Sequence, residues 1–163
     1  MKKVAAVALG SNLESERYGG REENLREAVE RVRGLGEVRA VSSFYDTDPV
    51  GYVDQPRFLN GALLVESDLE PLELMRGLLE IERSMGRERV GAVAKGPRVI
   101  DLDLLLYGDV VMSTAELTLP HPEMQERRFV LEPLAEVAPE MVHPVLGVTV
   151  GEMLAGLGRG SGL

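Results

Sequence analysis

Two aspartates inside an apolar segment are the first sign of chemistry in this sequence. The stretch RVIDLDLLLYG, residues 98–108, has the aliphatic composition of a buried strand, yet it contains Asp101 and Asp103. Residues two apart on a strand point to the same face, so the two carboxylates are predicted to lie about 6–7 Å apart on one face. In a partly buried site they would repel each other by roughly 2–3 kcal/mol, a cost that a bound divalent cation would turn into binding energy.

An exposed strand face, where the same pair would repel by less than ~1 kcal/mol, is an equally good interpretation from spacing alone. Nearby cations favour the metal site. Between residues 83 and 98 there is one acidic residue, Glu88, and the basic residues are Arg83, Arg87, Arg89, Lys95 and Arg98. Guanidinium groups bind phosphate oxygens through two donors, and cations beside a two-carboxylate site are typical of phosphoryl transfer. A solvated charged surface is the alternative for this cluster.

Composition and charge narrow the class of protein further. The chain has 163 residues and a formal net charge of −9, which argues against a general nucleic-acid binder, since such proteins are normally basic. A positive cluster in an acidic chain is better suited to a small, highly anionic ligand. Hydrophobic residues make up 44% and charged residues 28%, the balance of a globular domain. We expect one domain over residues 1–163, with 156–163 as a flexible tail.

The compartment is also constrained by the sequence. There is no cysteine, so disulfides and thiolate metal sites are excluded, and a reducing cytoplasm is expected. The apolar run Val4–Leu9 is too short for a signal peptide, and no stretch is long enough to span a membrane.

The aspartates need a sheet to hold them, and the order of the elements predicts which sheet. The pattern strand–helix–strand–strand–helix–strand is the ferredoxin-like arrangement, an α+β fold with a mainly antiparallel sheet and helices packed against it. A loop and a short helix are predicted within 119–140. The strands are predicted at 4–9, 38–45, 58–66 and 98–108, and the helices at 22–35 and 71–85.

Four further positions carry groups that bind ligands in other proteins. Phe58 and Asn60 share a strand face, and an amide that both donates and accepts can pair with a flat heterocycle, on which Phe58 and Phe129 could stack. His121 lies between prolines and close to Arg127, a position that allows phosphate contact, although a lone histidine is more often structural. The alternatives are an asparagine bonded to backbone, phenylalanines in the core and a structural histidine.

Five segments of the sequence are more informative together than one by one. They are ALGSNL (8–13), SSFYDTDPVGYVDQPRFLNGAL (42–63), GRER (86–89), GPRVIDLDLLLYG (96–108) and LPHPEMQERRFVLEPLAEVAPE (119–140). Together they resemble the 6-hydroxymethyl-7,8-dihydropterin pyrophosphokinase family of folate biosynthesis, in that family's order and over almost the whole chain. The resemblance implies a ferredoxin-like core in a three-layer α/β/α sandwich. It also implies transfer of diphosphate from ATP to the hydroxymethyl oxygen of the pterin, with release of AMP and with two Mg²⁺ ions.

The resemblance also assigns roles to residues. The metal ligands are Asp101 and Asp103, which act in catalysis with Arg87 and Arg98. The pterin-binding residues are Thr47, Val50, Phe58, Asn60 and Phe129. The residues that hold ATP and the moving phosphates are Arg87, Arg89, Arg98, His121 and Arg127, with Glu82 near the nucleotide.

Two positions depart from the pattern of some members, and two other functions compete with this one. Lys95 stands where some members have tryptophan, and Pro122 where certain members have tyrosine. A non-catalytic ferredoxin-like module that binds a small ligand remains the alternative, but it leaves the acidic pair and the arginines together unexplained. An RNA-binding sheet needs exposed stacking aromatics and a basic face, which an acidic chain with few aromatics does not offer.

Overall fold

The computed structural model describes residues 2–13, 18–47, 57–86 and 99–160, with side chains as far as residue 157. Five strands form one antiparallel sheet: β1 (Lys3–Ser11), β2 (Glu37–Val41), β3 (Tyr45–Thr47), β4 (Phe58–Ser67) and β5 (Asp101–Tyr107). A small hairpin consists of β6 (Met112–Ser113) and β7 (Thr118–Leu119). The helices are α1 (Arg21–Val32), α2 (Pro71–Ser84), α3 (Arg128–Val137) and α4 (Val150–Gly160), and a 3-10 turn spans Met124–Glu126.

The order of the strands places β1 and β4 at the centre of the sheet. The path is β2–β4–β1–β5, and β3 pairs with the other end of β4 from β2. Strands β1 and β4 are in continuous register from Lys3 opposite Ser67 to Ser11 opposite Leu59. This arrangement agrees with the predicted ferredoxin-like sheet.

Helices cover both faces of the sheet, which gives three layers. On the core face, α1 and α2 pack against alternate strand residues such as Val7, Leu63 and Leu102. On the opposite face, α3 and α4 pack against Ala6 and Ala62. We call this second surface the site face. The α/β/α sandwich is confirmed.

The helices on the core face form where the apolar spacing predicts them. In α1 the buried apolar side chains are Leu25, Ala28, Val29 and Val32, the period of one helical face. Helix α2 begins with Pro71 in its first turn, and Gly86, at φ +103°, follows its end. The predicted extension of α1 to Leu35 is wrong, because the helix ends at Val32.

The single strand predicted over 38–45 is wrong, because the chain forms two strands there. Between β2 and β3, Ser42 bonds Ala62 through its backbone N–H (2.8 Å) and accepts the Ala62 N–H with its hydroxyl (2.9 Å). The Phe44 ring then packs over Gly61, where a Cβ would come within 2.9 Å of it. The pairing then continues along β4 with a shifted register, from Val41 opposite Leu63 to Tyr45 opposite Asn60.

The part of the chain after β5 contains more secondary structure than the sequence predicted. The hairpin β6–β7 and helix α4 were not predicted, and α4 includes residues 156–160 of the expected tail. Its Val150 and Met153 are buried against α3 and the sheet, so packing offsets the low helix propensity of its glycines. None of the described helices is both long and apolar enough to cross a membrane.

Candidate functional site

A row of paired residues crosses the site face near one end of the sheet. Gly10 on β1 is opposite Asp101 on β5 on one side and opposite Asn60 on β4 on the other, and Asn60 is in turn opposite Tyr45 on β3. Directly paired residues point to the same face. The strand register therefore places a carboxylate, a bare backbone and an amide side by side.

The centre of this row is open because it is a glycine. A Cβ built on Gly10 would lie 3.2 Å from Oδ1 of Asn60, 3.7 Å from Cδ1 of Phe58 and 4.0 Å from Cβ of Asp101. In the next row, Ala8 lies opposite Asp103 and adds only a methyl group. Small residues thus form the floor of a groove between the amide and the acidic pair, where a flat ligand can approach the backbone.

The amide of Asn60 has a fixed orientation. Its Nδ2 donates a hydrogen bond to Oγ1 of Thr47, so Oδ1 is left on the side of Gly10. Asn60 is buried, and Phe58 lies on the same strand face, two residues away. An acceptor oxygen beside an aromatic ring suits a flat heterocycle that presents N–H donors along one edge.

The acidic pair, Asp101 and Asp103, lies on an edge strand whose outer side is held by other groups. The backbone N–H of Leu102, between the two aspartates, donates to Oε2 of Glu82 at 2.7 Å, and the N–H of His121 donates to the Leu105 carbonyl at 2.9 Å. Glu82 is only 2% exposed. These two hydrogen bonds fix the outer side of β5 next to the two aspartates.

The acidic pair fits a magnesium site completed by a ligand. Both side chains are half-buried on one strand face. Among the residues that the structure describes, no group of three or more His, Cys, Asp and Glu side chains could hold a metal ion by itself. Two carboxylates with the other ligands from phosphate and water are the usual mode of Mg²⁺ binding, and the bare floor beside the pair leaves room for them.

His121 supplies a donor close to the acidic pair, and Arg127 lies near His121. The Glu123 N–H lies 3.3 Å from Nδ1 of His121, so Nδ1 is the acceptor and Nε2 carries the proton. Burial, with a further contribution from the Arg127 charge, lowers the pKa of His121 below its usual value. The Arg127 guanidinium pairs with Glu123 and lies 5.7 Å from the centre of the Phe129 ring.

A pocket of about 360 Å³ opens beside the acidic pair. Its walls come from the apolar side of α2, from β5 and from the β6–β7 hairpin, and both Asp103 and His121 line it. An apolar pocket that ends at a carboxylate and a neutral imidazole donor suits a ligand with a flat apolar part and an anionic part.

The profile of one family, 7,8-dihydro-6-hydroxymethylpterin-pyrophosphokinase (HPPK), matches residues 6–139. The chain belongs to the HPPK family. A Bacillus subtilis relative, named 2-amino-4-hydroxy-6-hydroxymethyldihydropteridine pyrophosphokinase, is 45% identical over 143 residues, which are 86% of this chain and 81% of the relative.

Longer proteins contain the HPPK unit as one part. The Schizosaccharomyces pombe folic acid synthesis protein fol1 is 41% identical over 144 residues, 87% of this chain, but the chain spans only 19% of that protein. A solved Plasmodium falciparum HPPK-DHPS with pteroate superposes with a TM-score of 0.72 at 15% identity, over 100% of this chain and 44% of its own length. That likeness supports the fold, whereas the family membership rests on the sequence matches.

The strand register brings together part of the predicted HPPK site. Asp101, Asp103, Asn60, Phe58 and Thr47 lie on the site face, in paired or neighbouring positions of β3, β4, β1 and β5. Phe129 packs on the same face, against the cluster of α3 and α4. Val50, Arg87, Arg89, Lys95 and Arg98 lie outside the described residues. The structure places Glu82 against the backbone of β5, so its contact with a nucleotide stays a prediction.

Sequence reasoning gave no role to Gly10, although the motif ALGSNL contains it. A glycine at the end of an apolar strand run is a sign that a ligand or another backbone comes close. Gly10 fits this pattern, but its role can be recognised only when Asp101 and Asn60 are known to be its partners on the two neighbouring strands. The bond between Thr47 and Asn60 was not foreseen either, because it joins two strands.

Proposed function

We propose that this chain transfers the diphosphate of ATP to the hydroxymethyl group of 6-hydroxymethyl-7,8-dihydropterin and releases AMP, as a step of folate biosynthesis. Membership of the HPPK family supports the reaction. The observation that carries the site assignment is the row in which Gly10 separates Asn60 from Asp101. Because the chain has no cysteine, we expect it to act in the reducing cytoplasm. Further activities of the longer relatives are not assigned to this chain.

The pterin would lie beside Gly10, between the amide and the acidic pair. Oδ1 of Asn60 accepts from the N–H edge of the ring, and Phe58 and Phe129 enclose the ring faces. Strand β1 lies between β4 and β5, so the backbones of β4 and β5 are two inter-strand spacings apart, about 9–10 Å. This span suits a two-ring heterocycle with a one-carbon arm, so that a ring held by Asn60 extends its hydroxyl towards Asp101. Thr47 keeps the amide oriented, and Val50 is assigned to the same pocket by the resemblance.

Asp101 and Asp103 would hold two Mg²⁺ ions together with the triphosphate. The ions supply charge neutralisation and orientation of the phosphate oxygens when they are bound. The residues fit this role because they share a half-buried strand face and lie opposite Gly10 and Ala8, the small residues of β1. The hydrogen bond from the Leu102 N–H to Glu82 fixes the strand that carries both carboxylates.

ATP would occupy the pocket between α2, β5 and the β6–β7 hairpin. The base lies against the apolar residues of the pocket, and the phosphates lie towards Asp103 and His121. His121, neutral at physiological pH, donates through Nε2–H, and Arg127 adds a guanidinium. The resemblance assigns Arg87, Arg89 and Arg98 to the same phosphates, with Arg87 and Arg98 offsetting charge on the transferred group.

The reaction itself needs positioning more than it needs an acid or base. The hydroxymethyl oxygen attacks the β-phosphorus, the bond from the β-phosphorus to the α–β bridging oxygen breaks, and AMP leaves with that oxygen. The hydroxyl proton passes to solvent. Holding the acceptor in line and neutralising charge supplies most of the rate enhancement in phosphoryl transfer. The two ends of the groove, at Asn60 and at Asp101, provide that alignment.

The decisive experiment is to identify the nucleotide product. The protein is incubated with ATP, Mg²⁺ and the pterin alcohol, and the nucleotides are separated by ion-exchange chromatography. We expect AMP in amounts equal to the pterin diphosphate, and only trace AMP when the pterin is omitted. Formation of ADP would indicate an ordinary kinase. Binding of the pterin without turnover would favour the non-catalytic module instead.

A further inference from the structure

Strand β3 is very short for a strand that carries part of a binding site. It has three residues and pairs with β4 through Tyr45 opposite Asn60, Asp46 opposite Leu59 and Thr47 opposite Phe58. Three ladder pairs at a sheet edge give little stability by themselves. Thr47 nevertheless has to stay in place, because its hydroxyl accepts the hydrogen bond that orients the Asn60 amide.

The first helical layer holds β3 from the core face. Arg21, at the start of α1, donates to both carboxylate oxygens of Asp46, at 3.1 and 3.0 Å, and also to the carbonyl of Arg57 at 2.8 Å. Arg57 directly precedes β4. The fork of Arg21 therefore joins the middle of β3 to the beginning of its partner strand, which is the geometry in which arginine binds most specifically. This hydrogen bonding also lowers the pKa of Asp46, which stays ionised.

The opposite helical layer holds β3 from the site face. Glu136, on α3, accepts from the Ser43 N–H at 3.1 and 3.0 Å, from the Ser43 hydroxyl at 3.0 Å and from the Tyr45 hydroxyl at 2.7 Å. Three donors on one carboxylate tie the chain at the entrance of β3 to a helix. The Tyr45 hydroxyl and the Ser43 N–H lower the pKa of Glu136, so this carboxylate is also charged at neutral pH.

We propose that Arg21 and Glu136 are positioning residues for the acceptor substrate. They hold β3 from opposite faces, so that Thr47 keeps Oδ1 of Asn60 directed over Gly10. The inference rests on the proposed function, because Asn60 is the group assigned to the pterin there. Neither residue is expected to touch either substrate.

Arg57 also donates to the Asp46 carbonyl at 3.3 Å and lies 3.8 Å from its carboxylate, and this contact stays in every variant. Loss of the two helical restraints on β3 still has a measurable consequence. Ligand affinity falls only when a substantial fraction of molecules have β3 detached from β4. The apparent Kd equals the intrinsic Kd divided by the fraction of molecules in which β3 is in place. With one restraint lost, the other still keeps most molecules competent, and we expect about a 2-fold rise in the Kd of the pterin alcohol. With both lost, we expect about a 10-fold rise, more than the product of the single effects.

The experiment compares Arg21→Met, Glu136→Ala and the double variant with the wild type. Calorimetry measures the Kd of the pterin alcohol in the presence of Mg²⁺ and a non-hydrolysable ATP analogue, and separately the Kd of the analogue. The matched control is Arg33→Met, which removes an exposed arginine paired with Glu30 at the other end of α1. We expect the analogue Kd and the melting temperature to change little in the single variants, and the control to behave as wild type.

Two milder variants keep the test valid if the double variant folds poorly. Tyr45→Phe removes one donor to Glu136, and Arg21→Lys keeps the charge but loses the fork, so in combination they should weaken pterin binding by less than the double variant does. An unchanged pterin Kd in the double variant overturns the proposal, as does an equal loss of affinity for the ATP analogue. A wild-type protein that transfers diphosphate while the double variant binds pterin normally refutes the positioning role alone. No pterin binding by the wild type refutes the proposed function as well.

Discussion

The two faces of the sheet are built from alternate residues of the same strands, yet only one face becomes polar. On β5, Leu102 and Leu104 pack into the core under α1 and α2, whereas Asp101 and Asp103 point to the site face. On β1, Leu9 is buried on the core face and Gly10 leaves the site face bare. Along each strand, residues that face the proposed site therefore alternate with residues that stabilise the core.

The site face is itself divided along the strands. At one end α3 and α4 cover Ala6, Ala62 and Leu106 in a second apolar cluster. At the other end the strands carry Asn60 and Asp101. The comparison implies that substitutions one position apart should have different consequences, because one position holds the sheet together and the next one meets the ligand.

The largest effect is expected at the acidic pair. Asp101→Ala or Asp103→Ala removes a carboxylate that stabilises the metal–phosphate cluster, a loss of several kcal/mol, so kcat should fall about 10³-fold. Initial rates of AMP formation give the activity, and Mn²⁺ binding followed by EPR gives a readout of metal affinity apart from turnover. Asp109→Ala is the control, since this aspartate follows β5 and is 91% exposed. Near-normal turnover in both variants would refute the metal role.

The matching change on the core face should affect folding and not chemistry. Leu63 is fully buried between the sheet and the helices of the core face, so Leu63→Ala should lower the free energy of unfolding by about 2–5 kcal/mol. Urea denaturation followed by circular dichroism measures the loss. The pterin and ATP KM of the folded protein should stay at wild-type values. Val111→Ala, at a side chain that is 60% exposed, should change stability by no more than about 0.5 kcal/mol.

A smaller and more selective effect is expected at the floor of the groove. A methyl group at position 10 would be 3.2 Å from Oδ1 of Asn60, in the space assigned to the pterin. Gly10→Ala should therefore weaken binding of the pterin alcohol about 10- to 100-fold, which corresponds to roughly 1.4–2.7 kcal/mol. Affinity for the ATP analogue should stay unchanged. Gly156→Ala is the control, because its Cβ would meet nothing within 4 Å. Equal pterin affinity in the Gly10 variant would mean that the ring lies elsewhere.

Features of the two faces could be predicted from the sequence when neighbouring residues determine them. They could not be predicted when they depend on residues far apart in the chain. The alternation of Leu102 and Asp101 is local, so the period of two was enough to place both carboxylates on one face. The position of Gly10 between Asp101 and Asn60 depends on two registers. One of them shifts at a bulge between Ala6 and Val7, and no local pattern encodes that shift.

The same reasoning explains one element that was predicted wrongly and one that was missed. The segment 38–45 begins with Val38 and ends with Phe44 and Tyr45, residues typical of strands, and the bonds of Ser42 to Ala62 and the packing of Phe44 over Gly61 accompany its interruption. Helix α4 has several glycines, which lower its propensity, and it depends on burying Val150 against distant residues. In both cases tertiary contacts decided between local conformations of similar energy.

The smallest expected effect concerns a residue away from the groove, in the turn between α3 and α4. His143 is 5% exposed, and its Nδ1 accepts from the N–H groups of Val145 (3.3 Å) and Leu146 (3.0 Å). Burial lowers the pKa of His143 in the folded state. Its stabilising contribution is therefore complete above the pKa of an unfolded histidine and is lost as the pH falls through the lower folded value.

The fall in melting temperature between pH 7.5 and pH 5 should accordingly be smaller in His143→Gln than in the wild type, by about 1–3 °C. Glutamine keeps an acceptor for the turn but does not titrate. Carboxylates and His121, whose pKa is also lowered, act in both proteins, so only the difference between the two slopes reports His143. Differential scanning calorimetry at both pH values measures it. Because His143 lies outside the groove, the pH profile of pterin binding should be the same in both proteins, whereas identical melting slopes would contradict the assigned role of the neutral imidazole.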